Sequence, residues 1–333
     1  MLDGISNRHC LHTILTNIIK EHLFIDNILT GVGPIPYDLI RIHYRGPISL
    51  PRESEMPPID GVNIVRRYYR RTGVRRPVEK SKKKHRKCGS YRIMEQRGHM
   101  TPYGNGSFTL CYGPEFSIMP SMTMTINPSK LLLSPQDLGA IVAQYMPIES
   151  ARIAYIECKL DLEHTDAKHL ADAISIKWAR QRQSHSSTSF SFGGKRSRER
   201  ITIYDKAVQL DIDVIGLTRL EVKIRLPTKG RPTVAEFVSG CWEPRNPFAK
   251  MRLMEASGLC EVEQAARDAI ADDGVHNGLK TYAQITNRGR ADKAKKILLF
   301  EVPELWEAWL DLLEMWYCPV ADTVDDGIVA TGA

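Results

Sequence analysis

The sequence predicts an α+β fold, an antiparallel sheet packed by helices on one face and followed by a helical C-terminal region. Three observations lead there. Short segments in which apolar and polar residues alternate with period two recur between residues 37 and 226. Helical patterns interrupt these segments loosely, without the regular β-α-β order of a parallel sheet. After about residue 228 the apolar spacing changes to three and four, which is the spacing of a helix face. With 333 residues, 42% of them hydrophobic and 26% charged, the chain is long and apolar enough for a large core.

Residues 1–33 read as a helical lead-in, because Ile5, Leu11, Leu15, Ile18, Ile19, Leu23 and Ile28 fall at helical spacing until "GVGPIP" ends the pattern. A main domain is expected over 34–228. Its first strand is "YDLIRIHYRG", where Leu39 shares its alternation with Arg41, His43 and Arg45. "GSFTLCYG" and "FSIMPSMTMTINP" follow as strands. "SPQDLGAIVAQYM" carries helix-start chemistry in order, with Ser134 as N-cap, Pro135 at the first helical position and Asp137 three residues after the cap. "ARIAYIECKLDLE" is a strand, "DAKHLADAISIKWARQRQ" a helix, "SSTSFSFGG" a short strand and turn, and "RITIYDKAV" and "LTRLEVKIRLP" two further strands. The helical region 229–321 holds pieces near 234–241, 259–272, 290–300 and 303–317. In the last piece Leu305, Trp309, Leu312 and Trp316 form one stripe, either core or a dimer surface. The tail 322–333 is expected to be loose.

Lys and Arg outnumber Asp and Glu by 46 to 39, a formal charge of +7 with a pI near 9.0, so an anionic partner is expected, nucleic acid first. The densest basic stretch is the insert 64–92, with Arg66, Arg67, Tyr68, Tyr69, Arg70, Arg71, Arg75, Arg76, Lys82, Lys83 and Lys84. It reads either as a solvated charge run or as a DNA contact in which cations neutralise phosphates and tyrosines stack on unpaired bases. Lys195, Arg196 and Arg198 make a second basic group assigned to DNA. Seven widely separated cysteines with no CxxC pair argue against a disulfide framework and a zinc ribbon, and point to reduced thiols in the cytoplasm. The first residues make a poor signal peptide, and no apolar run reaches the roughly 18 residues of a membrane span, so no membrane partner is expected.

Three strands share a chemical pattern, because residues two apart lie on one face. Ile156, Cys158, Leu160 and Leu162 oppose Tyr155, Glu157, Lys159 and Asp161. Leu220, Val222, Ile224 and Leu226 oppose Arg219, Glu221, Lys223 and Arg225. Ile201 and Ile203 oppose Arg200, Thr202, Tyr204 and Lys206. If the three share a sheet, their polar faces make one surface of carboxylates, cations and a phenol. That surface is either a solvated face with cross-strand ion pairs or a site. Glu157 and Asp161 flank Lys159 at a spacing that hard divalent cations accept, and a tyrosine beside such a cation has the makings of a phosphoryl-transfer nucleophile.

"SFGGKRSRERITIYDKA" followed by "GLTRLEVKIRL" resembles the signature of the replication initiators of small rolling-circle plasmids and related phages, the Rep_trans or replication initiation factor family. The matching positions are Phe192, Gly193 and Ser197, then Ile203, Tyr204, Asp205 and Lys206, then Arg219 and Glu221. Upstream, "TINPSKLL" resembles the family's step into a helix at Asn127, Pro128, Lys130 and Leu131, and "IECKLDLE" its acidic strand. The ordered set covers about residues 122 to 226. The resemblance implies an HUH-nuclease-like sheet, although no His-hydrophobic-His motif occurs in this chain. It also implies a metal-dependent, site-specific DNA endonuclease and strand transferase. Tyr204 would attack a backbone phosphate at a replication origin, leaving a 5′-phosphotyrosine and a 3′-hydroxyl for a polymerase. Lys206 would assist, and Glu157, Asp161 and Glu221 would hold Mg2+ or Mn2+. Single-stranded or supercoiled origin DNA, a host helicase and polymerase, and a second copy of the chain are the implied partners. Thr202 and Glu157 depart mildly from the family pattern, and Lys223 makes Glu221 the least secure ligand. The alternatives are a non-catalytic, sequence-specific DNA-binding protein, or a relaxase or transposase using the same tyrosine chemistry; a tyrosine recombinase is disfavoured because its Arg, His-x-x-Arg and late Tyr pattern is missing.

Overall fold

The computed structural model describes residues 35–48, 64–69, 91–101, 104–114, 116–179, 182–194, 196–210, 216–242 and 244–318, with 64–69 and 91–107 described as backbone only. Ten strands form one sheet: β1 (Tyr37–Tyr44), β2 (Ile64–Tyr69), β3 (Tyr91–Thr101), β4 (Gly104–Pro114), β5 (Met122–Ile126), β6 (Arg152–Leu162), β8 (Arg182–Ser186), β9 (Ser189–Phe192), β10 (Glu199–Asp205) and β11 (Thr218–Arg225). Their order is β2-β3-β4-β5-β1-β6-β11-β10-β9-β8, and every neighbouring pair is antiparallel. A small second sheet joins β7 (Ile174–Ile176), β12 (Met251–Met254) and β13 (Leu299–Glu301) in the order β13-β12-β7.

The helices are α1 (Pro128–Leu131), α2 (Pro135–Ala143), α3 (Ala167–Ala173), α4 (Lys206–Leu210), α5 (Val234–Val238), α6 (Gln264–Ile285), α7 (Arg288–Leu298) and α8 (Glu304–Tyr317). Helix α2 begins as its sequence dictates: the Ser134 hydroxyl accepts from the Asp137 backbone N–H at 3.1 Å, and the Asp137 carboxylate accepts from the Ser134 N–H at 3.2 Å. The apolar face of the sheet, with Ile40, Ile42, Ile156, Cys158, Leu160, Ile201, Ile203, Leu220 and Val222, shares one core with Leu138, Val142, Phe237, Trp309 and Trp316. Burial of large apolar side chains, each worth about 1.5–3 kcal/mol, is the main force holding helices to sheet.

The Trp309 and Trp316 stripe of α8 is core, not a dimer surface. Their indoles are 0% and 4% exposed and donate to the carbonyls of Pro36 and Leu133 at 3.4 and 2.9 Å. Both rings meet Tyr37 edge-on, at 5.7 and 5.2 Å between centroids. The homodimer expected from the resemblance therefore finds no surface in this stripe.

The structure corrects three elements. The helix expected over 166–183 ends at Ala173, because β-branched Ile174 and Ile176 pair with β12 and bury themselves there, and the chain then re-enters the large sheet as β8. The helix expected over 259–272 instead runs from Gln264 to Ile285 and breaks at Gly274, where φ is +71°. Its two arms fold back so tightly that a Cβ on Gly278 would lie 2.4 Å from the Ala269 carbonyl oxygen. Packed with α7 across Ile270, Leu279, Tyr282 and Leu298, this bent helix makes a second small core. The start of the basic insert, Ile64–Tyr69, is not a free run but an outer strand paired with β3, which carries Arg66, Arg67, Tyr68 and Tyr69. Arg70, Arg71, Arg75, Arg76, Lys82, Lys83, Lys84 and Lys195 lie outside the described residues, as do 1–33 and 322–333.

Candidate active site

The three strands singled out by their alternation lie side by side as β6, β11 and β10, and their register sets the polar residues in rows. Tyr204 pairs with Arg219, which pairs with Asp161. Thr202 pairs with Glu221, which pairs with Lys159. Arg200 pairs with Lys223, which pairs with Glu157.

This face is not a solvated carpet. Arg219 and Lys159 are each 4% exposed. Buried charges need partners, and each has one: the Arg219 Nε and Nη2 donate to both oxygens of Asp161 at 2.5 Å each, and the Lys159 ammonium donates to the Ser129 hydroxyl at 2.8 Å. Burial pushes the Asp161 carboxyl up, but the charge and hydrogen bonds of Arg219 outweigh it and hold the group at about 2. Lys223 lies 3.5 Å from Glu157.

Tyr204 stands at the end of β10, half-buried, with its hydroxyl donating to Glu221 Oε1 at 2.6 Å. Burial first, and then the charge of Glu221, raise the phenol above its ordinary value, so it is held as a protonated donor. Burial and the negative charge of Asp38 push the Glu221 carboxyl up to about 7. Lys206 does not continue the strand, as its spacing suggested; it opens α4, its backbone N–H donating to the Leu217 carbonyl at 2.7 Å. Its side chain still reaches the site, with Nζ 6.0 Å from the centre of the Tyr204 ring and donating to Gln209 at 2.7 Å. Burial and the nearby Arg219 lower this amine to about 8. Together Tyr204, Glu221, Lys206, Asp38 and Lys130 line a cleft of about 410 Å³.

Asp38 is the residue the alternation missed. The pairing of β1 with β6 shifts between Tyr37 and Leu39, a bulge that leaves the Asp38 carboxylate 3.5 Å from Arg219 Nη1. Lys130 sits in α1, whose N-cap Asn127 accepts from the Lys130 backbone N–H at 2.8 Å. Its only sequence signal was the "TINPSKLL" match.

The expected carboxylate trio does not converge. Asp161 spends both oxygens on Arg219, Glu157 faces Lys223, and among the described residues no three His, Cys, Asp or Glu side chains are spaced to hold a metal ion. The donors that fit a hard cation are Asp38 and Glu221. Both line the cleft, where burial first and then the charge of Asp38 raise Glu221. Mg2+ commonly uses one or two carboxylates and completes its shell with water and substrate phosphate. Of the cations assigned to DNA, Arg196 and Arg198 are exposed at the far end of β10, six residues or more from Tyr204 and hence ~20 Å away.

No protein-family model matches the chain. No curated protein sequence matches it either. Among solved structures it is similar to the rolling circle replication initiator protein from Geobacillus stearothermophilus, with 11% sequence identity, a TM-score of 0.38, and 77% of this chain and 96% of that chain covered. Among the described residues no helix is long and apolar enough to cross a membrane.

Proposed function

We propose that the chain is a DNA strand-transferring endonuclease that initiates rolling-circle replication through Tyr204. The observation that carries the reading is the Tyr204 hydroxyl, donating at 2.6 Å to a carboxylate whose proton affinity lies near neutrality, in a cleft that also presents two lysines. An acceptor poised near the working pH suits general base catalysis. The phenolic oxygen attacks a backbone phosphorus while its proton passes to Glu221. The bond from phosphorus to the 3′ oxygen breaks, leaving the 5′ side on Tyr204 as a phosphotyrosine. Lys206, an ammonium near its own midpoint, gives its proton to the departing 3′ oxygen. Lys130 and Lys206 balance charge on the phosphate. Asp38 and Glu221 would hold Mg2+ or Mn2+, which supplies further neutralisation of the phosphate when bound. Arg219 and Asp161 position the site as a rigid pair between β11 and β6. Glu157 has no part in the step.

The test is mass spectrometry of the protein after incubation with single-stranded origin DNA. A nucleotide adduct on Tyr204, absent in Tyr204→Phe while DNA binding persists, is expected. Cleavage retained by Tyr204→Phe would overturn the proposal and leave another nucleophile to be found. Binding with no cleavage in the unaltered chain, with or without Mg2+ or Mn2+, would favour a non-catalytic DNA-binding protein.

A further inference from the structure

At the other end of β1 from Asp38, three arginines gather around one histidine with no carboxylate bonded to any of them among the described residues. Arg41 and His43 follow one another on the polar face of β1 and Arg45 comes directly after its last residue, while Ile40, Ile42 and Tyr44 fill the core. Arg231 comes from the loop after β11, its Nη1 standing 3.3 Å from His43 Nδ1. Each guanidinium is tethered by a neutral acceptor. Arg41 Nε donates to the Thr125 hydroxyl at 3.3 Å, Arg45 Nη2 to the Ile118 carbonyl at 2.7 Å, and Arg231 Nε to the Leu226 carbonyl at 3.1 Å. Arg41 also lies over the Tyr155 ring, 5.4 Å from its centre.

These contacts fix three positive charges in place and neutralise none. Like charges held together cost free energy, and the cost is visible in the neighbours. Burial, and then Arg231, Arg41 and Arg45, lower the His43 imidazole to about 4, and burial followed by Arg45 lowers Arg231. Of the acids on adjoining elements, Glu236 is 3.9 Å from Arg152 and caps α5 through Thr233, and Glu157, beside the Tyr155 ring that Arg41 overlies, faces Lys223 at 3.5 Å. A preorganised, uncompensated set of guanidiniums is what binds phosphate oxygens, because their planar forks match the anion.

We propose that Arg41, Arg45 and Arg231 form a phosphate-binding cluster that grips the backbone of the DNA strand entering the Tyr204 cleft. This rests on DNA being the substrate. Five residues of strand separate Asp38 at the cleft from His43 at the cluster, a span of ~16 Å. At a rise of about 3.4 Å per nucleotide that span corresponds to about five nucleotides counted from the Asp38 edge of the cleft, and fewer on a stretched strand. Only a substrate extending that far feels the cluster.

The test measures binding of a ~30-nucleotide poly-dT strand by fluorescence anisotropy from about 50 to 200 mM salt, in the chain carrying Tyr204→Phe. Three lost contacts on single-stranded DNA should flatten the salt slope by about 2 in R41Q/R45Q/R231Q and lower affinity at least tenfold at the low-salt end. The triple Arg→Lys variant should keep most of the slope and lose the bidentate part of the affinity. Unfolding midpoints, and the single variant Arg45→Gln with an expected change of about 0.7, guard against misfolding of the triple variant. An unchanged slope in a folded triple variant overturns the proposal. So does stabilisation of the unaltered protein by millimolar inorganic phosphate or thymidine monophosphate with DNA affinity indifferent to the variants, since the cluster would then serve a free anion. Because the readout is binding, a missing adduct at Tyr204 would defeat the nicking reading and leave this result standing.

Discussion

Replacing Arg219 with methionine should destabilise the protein by about 3–5 kcal/mol, the cost of leaving one charge of a buried pair without its partner. The magnitude follows from the pair's surroundings. The Arg219 side chain is 5% exposed and that of Asp161 24%, and the carboxyl is held at about 2 against an ordinary value of 3.8. Returning it to 3.8 alone costs ~2 kcal/mol. Burial, opposed then only by the charges of Lys159 and Lys206, adds the remainder. Asp161→Leu should cost less, because Arg219 keeps Asp38 at 3.5 Å. The double variant R219M/D161L replaces the pair with apolar groups and should recover at least ~2 kcal/mol relative to the sum of the single changes. Urea unfolding at neutral pH of the parent and the three variants closes the cycle. The pair's contribution is also pH-dependent: because folding lowers the Asp161 value, its stabilisation is present above about 4 and fades as pH falls towards 2. Additivity within about 0.5 kcal/mol would refute the reasoning and return Asp161 to the pool of free carboxylates available to a metal.

Mn2+ binding followed by electron paramagnetic resonance should weaken at least tenfold in Asp38→Asn and Glu221→Gln and stay unchanged in Glu157→Gln; the opposite ranking would restore the set expected from the sequence. His276 is 3% exposed, its Nδ1 accepts from the Ile176 backbone N–H at 3.2 Å, and burial, Lys280 and Arg182 lower it from 6.5 to about 3. Stability should therefore fall by ~2 kcal/mol between pH 6.5 and 5, where the unfolded chain takes the proton first, and His276→Gln should flatten that slope in thermal unfolding scans. Gly278→Ala pushes a methyl into backbone atoms at 2.4 and 2.6 Å, so it should cost at least about 1–3 kcal/mol by urea unfolding and speed amide exchange in α6; a neutral result would mean that the two arms of the bent helix are free to part.

The polar and apolar faces of β6, β10 and β11 were legible because period two is a property of the backbone itself, and the pairing brought Tyr204 and Glu221 together as that alternation required. Asp38 was not legible. A bulge in β1 turns its carboxylate towards Arg219, and a bulge depends on the neighbouring strand, which local sequence does not encode. Nor does alternation say whether a carboxylate on a shared face is free or already spent. Asp161 and Glu221 look alike in the sequence, yet one faces a guanidinium across the register and the other a phenol. The break at Ala173 was hidden for a related reason: "ISI" reads as helix until β12, some 75 residues later, offers it a partner. The α8 stripe was legible as an apolar face, and only the fold shows that Tyr37 and Phe237 cover it.

The hydrogen bond from Trp309 to Pro36 joins positions 273 residues apart. At about 5–20 residues per second a ribosome needs roughly 15–55 s to bring the second after the first. The last strand of the large sheet, β11, ends at Arg225, so for the final ~4–17 s of that interval the sheet is complete while the part of its apolar side that α8 covers is still open, and chaperones that shield apolar surface have a defined target and a defined window. Messages broken before codon 309 would yield proteins possessing every residue named in the Tyr204 cleft but lacking the plug that closes the interior, which makes α8 a checkpoint on which translated copies survive.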